Sequence, residues 1–266
     1  MSTQAKPGAL KEHSQIRAGR ALQMRLKTDY HLIKENRYMP NPIQAVIFDQ
    51  DGLMFDTESL AATSWFEVGP KYGIHVDGNF LRGIRGCKPD RVKQVCTQQF
   101  GEEAMKDYDR FREEKRQYSY RWIAEHGVPV KKGLKELLIY LKDHNIKTAV
   151  ATASSESWTQ GNVRGAGVEK YFDDYMYGDM VKEAKPNPAI FLLAARRLGV
   201  DPGACVVLED SFNGIKAAAA GGFNPVMIPD QDQPDEEIRN LLTACCDSLT
   251  DVISLFENGS LSLKQP

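Results

Sequence analysis

The chain has 266 residues, a net charge of −2, a pI near 6.2, and 42% hydrophobic and 26% charged residues. That balance fits a soluble folded protein of one large or two small domains and gives no electrostatic footprint for nucleic acid or anionic membranes. No apolar run reaches the length of a membrane span, and the five cysteines, odd in number and without CxxC spacing, fit a reducing compartment, so a cytoplasmic location is expected.

Residues 1–38 stand apart from the rest. They carry eight basic and three acidic side chains, a surplus of five positive charges that leaves −7 for the remainder. They contain no apolar stretch of the secretory type. They are expected to form a basic extension, with at most a loosely docked helix around residues 18–34, ahead of a folded body that begins near Met39.

The first strand-like run is Val46-Ile47-Phe48, and it ends abruptly in Asp49-Gln50-Asp51-Gly52. Successive side chains of a strand point to opposite faces, so two acids one residue apart need a sharp turn at Gly52 to converge. Two carboxylates at the end of a buried strand repel each other unless a cation or a shared proton is present. The pattern is poor core material and suits a site for a divalent cation and a phosphate. A solvated strand exit would also place acids here, but such an exit would not explain the motifs that follow.

From Thr57 to about Pro129 the pattern is helical, with candidate helices at 58–72, 90–100 and 103–125. The aromatic stripe Tyr108, Phe111, Tyr118 and Trp122 reads as a packing face. From Gly133 helix and strand alternate: helices at 134–143, 156–165, 189–198 and 215–220, strands at 146–151, 175–178, 204–208 and 225–228. Alternation of this kind implies a parallel sheet covered on both faces. Thr152-Ala153-Ser154 follows the second strand, where a hydroxyl and amides before a helix favour an anion, although a simple helix cap would use the same residues. Lys185 precedes Asn187, a candidate helix cap, and Pro188, a candidate first helical residue. Glu209 and Asp210 follow the apolar run Cys205–Leu208, an arrangement that is costly unless the acids are paired or metal-bound. Cys205 reads as a small core residue, Gly221-Gly222 as a helix stop, and residues 259–266 as a flexible tail.

Asp49, Asp51, Gly52, Asp56 and Thr57 together resemble the first motif, DxDGxxxDT, of the haloacid dehalogenase superfamily. Thr152, Lys185 before Pro186, and Glu209-Asp210 resemble its other three motifs, in the right order and each beyond a strand. The resemblance spans roughly residues 44–256 and is closest to the β-phosphoglucomutase-like group. It implies an α/β fold, a Rossmann-like parallel sheet core (39–57 and 129–258) with an inserted all-helical cap (58–128). It implies that Asp49 is the nucleophile, Asp51 the general acid/base, and Thr152 and Lys185 the groups that hold the phosphate, with Ala153 and Ser154 beside them. It implies Mg²⁺ bound by Asp49, Asp51 (through its carbonyl), Asp210 and Glu209. The Gly83–Lys88 stretch corresponds to the family's specificity loop, where Arg85 and Lys88 would reach the leaving group.

The expected function is therefore Mg²⁺-dependent hydrolysis of a small phosphorylated metabolite (a sugar, polyol or nucleoside monophosphate) by a monomer. A sugar phosphate mutase is the first alternative. In the mutase a histidine stands where this chain has Ala61, and its cap loop reads GxSR where this chain has Gly83-Ile84-Arg85-Gly86. A non-catalytic binding protein is the second alternative, and the intact acids at Asp49 and Asp51 speak against it.

Overall fold

The computed structural model describes residues 42–84 and 89–262. The basic extension, Arg85 and Lys88 lie outside the described residues. Six parallel strands form one sheet in the order β3-β2-β1-β4-β5-β6: β1 (Ala45–Phe48), β2 (Lys147–Ala151), β3 (Asp174–Met176), β4 (Cys205–Glu209), β5 (Asn224–Met227) and β6 (Ala244–Cys245). β1 lies at the centre, with Ala45 in register with Lys147 on one side and Cys205 on the other. Every residue of β1 is buried, as its unbroken apolar run requires of a strand covered on both faces. The strand order reverses at β1, so the crevice outside its carboxyl end is where a doubly wound sheet places its ligand.

Among the described residues, four helices form an insertion that follows β1: α1 (Thr57–Val68), α2 (Gly78–Ile84), α3 (Pro89–Ala104) and α4 (Tyr108–His126). Asp56 caps α1 by accepting the Ser59 amide. The helices share their own buried cluster of Trp65, Val68, Ile74, Ile84, Cys96, Met105, Tyr108 and Phe111. Phe111 is at its centre, with the Trp65 ring centroid 5.1 Å away, and truncation there would cost about 3–5 kcal/mol. Tyr118 packs on this cluster, but Trp122, expected in the same stripe, stacks on His126 instead. The chain enters and leaves this insertion through adjacent segments, where Asp56 N–H donates to the Pro129 carbonyl and Lys131 N–H to the Met54 carbonyl.

Six more helices complete the core: α5 (Leu134–Asp143), α6 (Glu156–Gly165), α7 (Ala189–Leu198), α8 (Phe212–Ala220), α9 (Glu236–Leu241) and α10 (Leu249–Glu257). Ala45 and Ile47 face a cluster with Phe191 and Ala194 of α7 and Ala217 and Ala218 of α8. Cys205 is part of that cluster, as its sequence context suggested. On α5, the apolar positions Leu134, Leu137, Leu138 and Leu141 recur at helical spacing and are all fully buried.

Several expectations need correction. The helix expected at 58–72 stops at Val68, followed by a 3₁₀ turn at Gly69–Tyr72, and the one expected to start at 103 starts at Tyr108. α7 spans Ala189–Leu198 as expected, but Pro188 is its cap rather than its first helical residue, and Asn187 Oδ1 accepts the Ala189 amide at 2.9 Å. The short elements α2, α9 and β6, and the helix α10, were not legible from periodicity. The start of the supposedly flexible tail is packed. Leu261 is fully buried, and Ile43 N–H donates to the Ser262 carbonyl at 2.7 Å, because this segment closes over the start of β1.

Candidate active site

Asp49 leaves the end of β1 and its amide donates to the Leu208 carbonyl, so its side chain stands over the carboxyl ends of β1 and β4. Gly52, at φ +86°, makes the turn that returns the chain. A Cβ at Gly52 would run into the Asp210 carboxylate, so the glycine is needed for space as well as for its backbone angle. Asp49, Glu209 and Asp210 then offer carboxylate oxygens within 4.8 Å of one another. Three hard oxygen donors this close fit a divalent cation of the Mg²⁺ type.

Lys185 reaches into this group from the segment before α7. Its Nζ lies 2.5 Å from Asp49 Oδ1, 2.7 Å from Glu209 Oε1 and 3.1 Å from the Ala151 carbonyl. Burial works against the charged ammonium, but the two carboxylates outweigh it and hold the lysine above its ordinary range. Burial, together with the charges of Glu209 and Asp51, pushes Asp49 up to about 7 despite the lysine. Burial, Glu209 and Asp49 push Asp210 up to about 9. One buried ammonium cannot neutralise three crowded carboxylates, so the proton-bound forms of Asp49 and Asp210 are favoured.

Glu209 is 1% exposed and its oxygens are already engaged. Oε1 accepts from Lys185, while Oε2 accepts from the Asp210 and Ser211 amides and the Ser211 hydroxyl. Gly214, in the first turn of α8, leaves the space that the carboxylate occupies, since a Cβ there would overlap it.

The Asp51 carboxylate is held by groups from three elements. Thr57 Oγ, at the start of α1, donates to Oδ1 at 2.6 Å, and Ser154 Oγ, beyond β2, donates to Oδ2 at 2.6 Å. Trp158 Nε1, in the first turn of α6, donates to Oδ1 at 3.0 Å. The buried Gln50 adds longer contacts of 3.3 Å to both oxygens. Thr152 is 1% exposed, and its hydroxyl accepts the Ser154 amide at 3.1 Å. A cleft of about 620 Å³ is lined by Asp49, Asp51, Thr152, Ala153, Ser154 and Lys185, and its mouth by Glu58, Asn213, Gln231 and Asp232.

The structure thus brings together Asp49, Asp51, Thr152, Ala153, Ser154, Lys185, Glu209 and Asp210, all expected from the sequence. Arg85 and Lys88 fall outside the described residues. Trp158 was missed, because a tryptophan three residues into a helix carries no motif and reads as core.

Comparison with known proteins gives the class. The family described as haloacid dehalogenase-like hydrolase matches residues 43–222. The chain belongs to that family. It is 32% identical over 227 residues to the phosphorylated carbohydrates phosphatase of Thermotoga maritima, covering 84% of this chain and 95% of the relative. It is 32% identical over 183 residues to the fructose-1-phosphate phosphatase of Escherichia coli strain K12, covering 68% of this chain and 94% of that one. Its fold is similar to that of β-phosphoglucomutase from Clostridium difficile, with a TM-score of 0.65 and 26% identity over 82% of this chain and 97% of that one. Among the described residues, no helix is long and apolar enough to cross a membrane.

Proposed function

We propose that this protein is a Mg²⁺-dependent phosphatase that removes phosphate from a small phosphorylated metabolite, a sugar, polyol or nucleoside monophosphate, through an aspartyl phosphate. The observation that carries the reading is the Lys185 ammonium bridging Asp49 and Glu209 beside Asp210, in a cleft that Asp51 also lines. Names of the curated relatives, which include a phosphorylated carbohydrates phosphatase and a fructose-1-phosphate phosphatase, support the substrate class.

Asp49, Asp210 and the Asp51 carbonyl would hold the ion; Glu209, expected from the sequence as a further ligand, has both oxygens engaged by Lys185 and by the Asp210 and Ser211 amides, and would fix Lys185 instead. The bound ion supplies neutralisation of the acids and of the phosphate oxygens. Asp49 Oδ attacks phosphorus in line, and the bond from phosphorus to the ester oxygen breaks as the new one forms. Asp51 gives its proton to the departing alkoxide. Asp51 then takes a proton from a water molecule, whose oxygen attacks phosphorus and releases inorganic phosphate and the free Asp49 carboxylate. Lys185 and the Thr152 hydroxyl orient the phosphate oxygens and stabilise the charge that spreads over them. The insertion α1–α4 acts as the cap that covers the cleft and excludes water.

The test is phosphate release from fructose 1-phosphate, hexitol phosphates, nucleoside monophosphates and p-nitrophenyl phosphate with Mg²⁺. Asp49→Asn should abolish turnover and EDTA should suppress it; full activity under either condition sinks the mechanism. The fold similarity to a β-phosphoglucomutase favours a second reading, a sugar phosphate mutase. Conversion of β-glucose 1-phosphate to glucose 6-phosphate, primed with the 1,6-bisphosphate, faster than phosphate release would establish it.

A further inference from the structure

Trp158 stands between the proposed acid and the helical insertion. Its indole N–H donates to Asp51 Oδ1 at 3.0 Å. The same ring meets Tyr120 of α4 edge-on, with centroids 5.0 Å apart and planes at 86°. The two contacts use different parts of one rigid side chain, so the indole cannot turn toward one partner without moving on the other. Tyr120 is itself steadied by Arg116, whose guanidinium lies 5.5 Å from the ring centroid.

The other strong donors to Asp51 do not share this double contact. Ser154 belongs to the loop after β2 and holds Oδ2 from the core side. Thr57 begins α1 and reports only where the insertion is attached. Among the described residues, Trp158 is the donor to Asp51 whose ring also meets an aromatic residue of α4, more than sixty residues along the insertion from its attachment at Thr57. The placement of α4 is thereby tied to the position of one carboxylate oxygen.

We infer that Trp158 is a positioning residue for the leaving-group proton transfer, setting the Asp51 carboxylate against the ester oxygen when Tyr120 of the insertion packs on the indole. This rests on the proposed role of Asp51 as the acid. Loss of a hydrogen bond to a carboxyl group that three other side chains also hold shifts the group within its site, and a small misplacement of a reacting group lowers rate without loss of binding. The effect falls on the chemistry that needs the proton. An alkyl phosphate must expel an alkoxide, which needs protonation as it leaves. p-Nitrophenyl phosphate expels a stabilised phenolate, which needs little.

The experiment compares kcat/KM for an alkyl ester, fructose 1-phosphate, and for p-nitrophenyl phosphate in the full-length protein with Mg²⁺. This ratio reports the steps up to formation of the aspartyl phosphate. In Trp158→Phe, which keeps a ring against Tyr120 but loses the N–H, the alkyl ester should lose about tenfold more than the aryl ester. KM for the alkyl ester should change by less than about twofold while kcat falls. Tyr120→Leu, on the partly exposed face of α4, should shift the same ratio in the same direction by about threefold, and the double variant should lose less than the product of the two. Equal loss on both esters, no change in the ratio, or a rise in alkyl ester turnover in Trp158→Phe overturns the inference. Should Trp158→Phe fail to fold, the Tyr120→Leu ratio decides alone, and an unchanged ratio there overturns it. A wild-type protein that hydrolyses neither ester overturns the proposed function, and this inference with it; activity in the wild type separates the two.

Discussion

Lys185 Nζ lies between Asp49 Oδ1 at 2.5 Å and Glu209 Oε1 at 2.7 Å, so one ammonium joins the end of β1 to the end of β4. The pair of contacts makes Lys185 a structural tie as well as the proposed phosphate ligand. Removing one partner of a buried ion pair leaves an uncompensated charge, at a cost of about 3–5 kcal/mol. Lys185→Met should therefore lower Tm by several degrees as well as abolish turnover. Added Mg²⁺ should restore part of the stability and none of the activity. A variant with wild-type Tm and no activity would confine Lys185 to catalysis.

Gly214 gives a test that touches no reacting group. Its Cβ would overlap the Glu209 carboxylate, which is held by Lys185 and by the amides at the start of α8. Gly214→Ala should displace Glu209 and reduce kcat by at least about tenfold through Lys185, although alanine is the better helix former by about 1 kcal/mol. A gain in thermal stability with unchanged kcat would show that Glu209 can shift at no cost to the lysine.

The metal-free protein should lose stability as pH rises. Burial pushes Asp49 up to about 7 and Asp210 up to about 9 from the ordinary aspartate value of 3.8, so the folded state binds more protons than the unfolded state from about pH 4 upward. The contribution is present below the unfolded pKa and is lost as pH rises through 7 and then 9. A bound divalent cation replaces those protons, so Mg²⁺ affinity should rise over the same interval. Thermal unfolding at pH 6 and pH 8.5, with and without Mg²⁺, should show the larger Mg²⁺-induced gain in Tm at pH 8.5. Equal gains at both pH values would show that the acids are ionised without the ion.

What the sequence disclosed and what it hid divide along physical lines. The parallel sheet was legible because β1 and the first four residues of β4, Cys205–Leu208, are uninterrupted apolar runs, a pattern that burial on both faces enforces, and because helical and strand-like stretches alternate from Gly133 onward. Asp49, Asp51 and Asp210 were legible because charged groups at the ends of such runs are costly without a partner, and Lys185 because its place before Pro186 fits the order of motifs that the chain resembles. β6 was not, being two half-buried residues at the sheet edge, Ala244 and Cys245. α2 was not, because its seven residues include two glycines and bury only Ile84. Trp158 was not, because its role comes from a contact with Asp51, 107 positions away in the chain. The packed end of the chain was not, because a single buried Leu261 and one hydrogen bond to Ile43 leave no periodic trace.

The insertion carries its own titratable group, with the opposite sign. Lys115 of α4 lies with its Nζ 3.5 Å from the Trp65 ring centroid and 5.4 Å from that of Phe111. Burial drives its pKa down to about 7 from 10.5, Arg112 lowers it further, and Cys96 and Glu58 oppose the shift. The aromatic faces favour the ammonium by about 1–2 kcal/mol. Desolvation outweighs that attraction, since a fall of this size corresponds to a few kcal/mol at about 1.4 kcal/mol per unit. Between pH 7 and 10.5 the unfolded state therefore binds the proton that the folded state has released, and this site makes the protein more stable as pH rises across that window. Below pH 7 the penalty of the buried charge is present in full. Lys115→Met keeps the apolar stem against Trp65 and removes the charge. It should raise Tm at pH 7, and the advantage over the wild type should shrink toward zero by pH 10. The check is the difference in Tm between variant and wild type at several pH values with Mg²⁺ present, so that Asp49 and Asp210 contribute equally to both. A difference that stays constant with pH, or a variant less stable at pH 7, would show that the ammonium over Trp65 is a net stabilising contact.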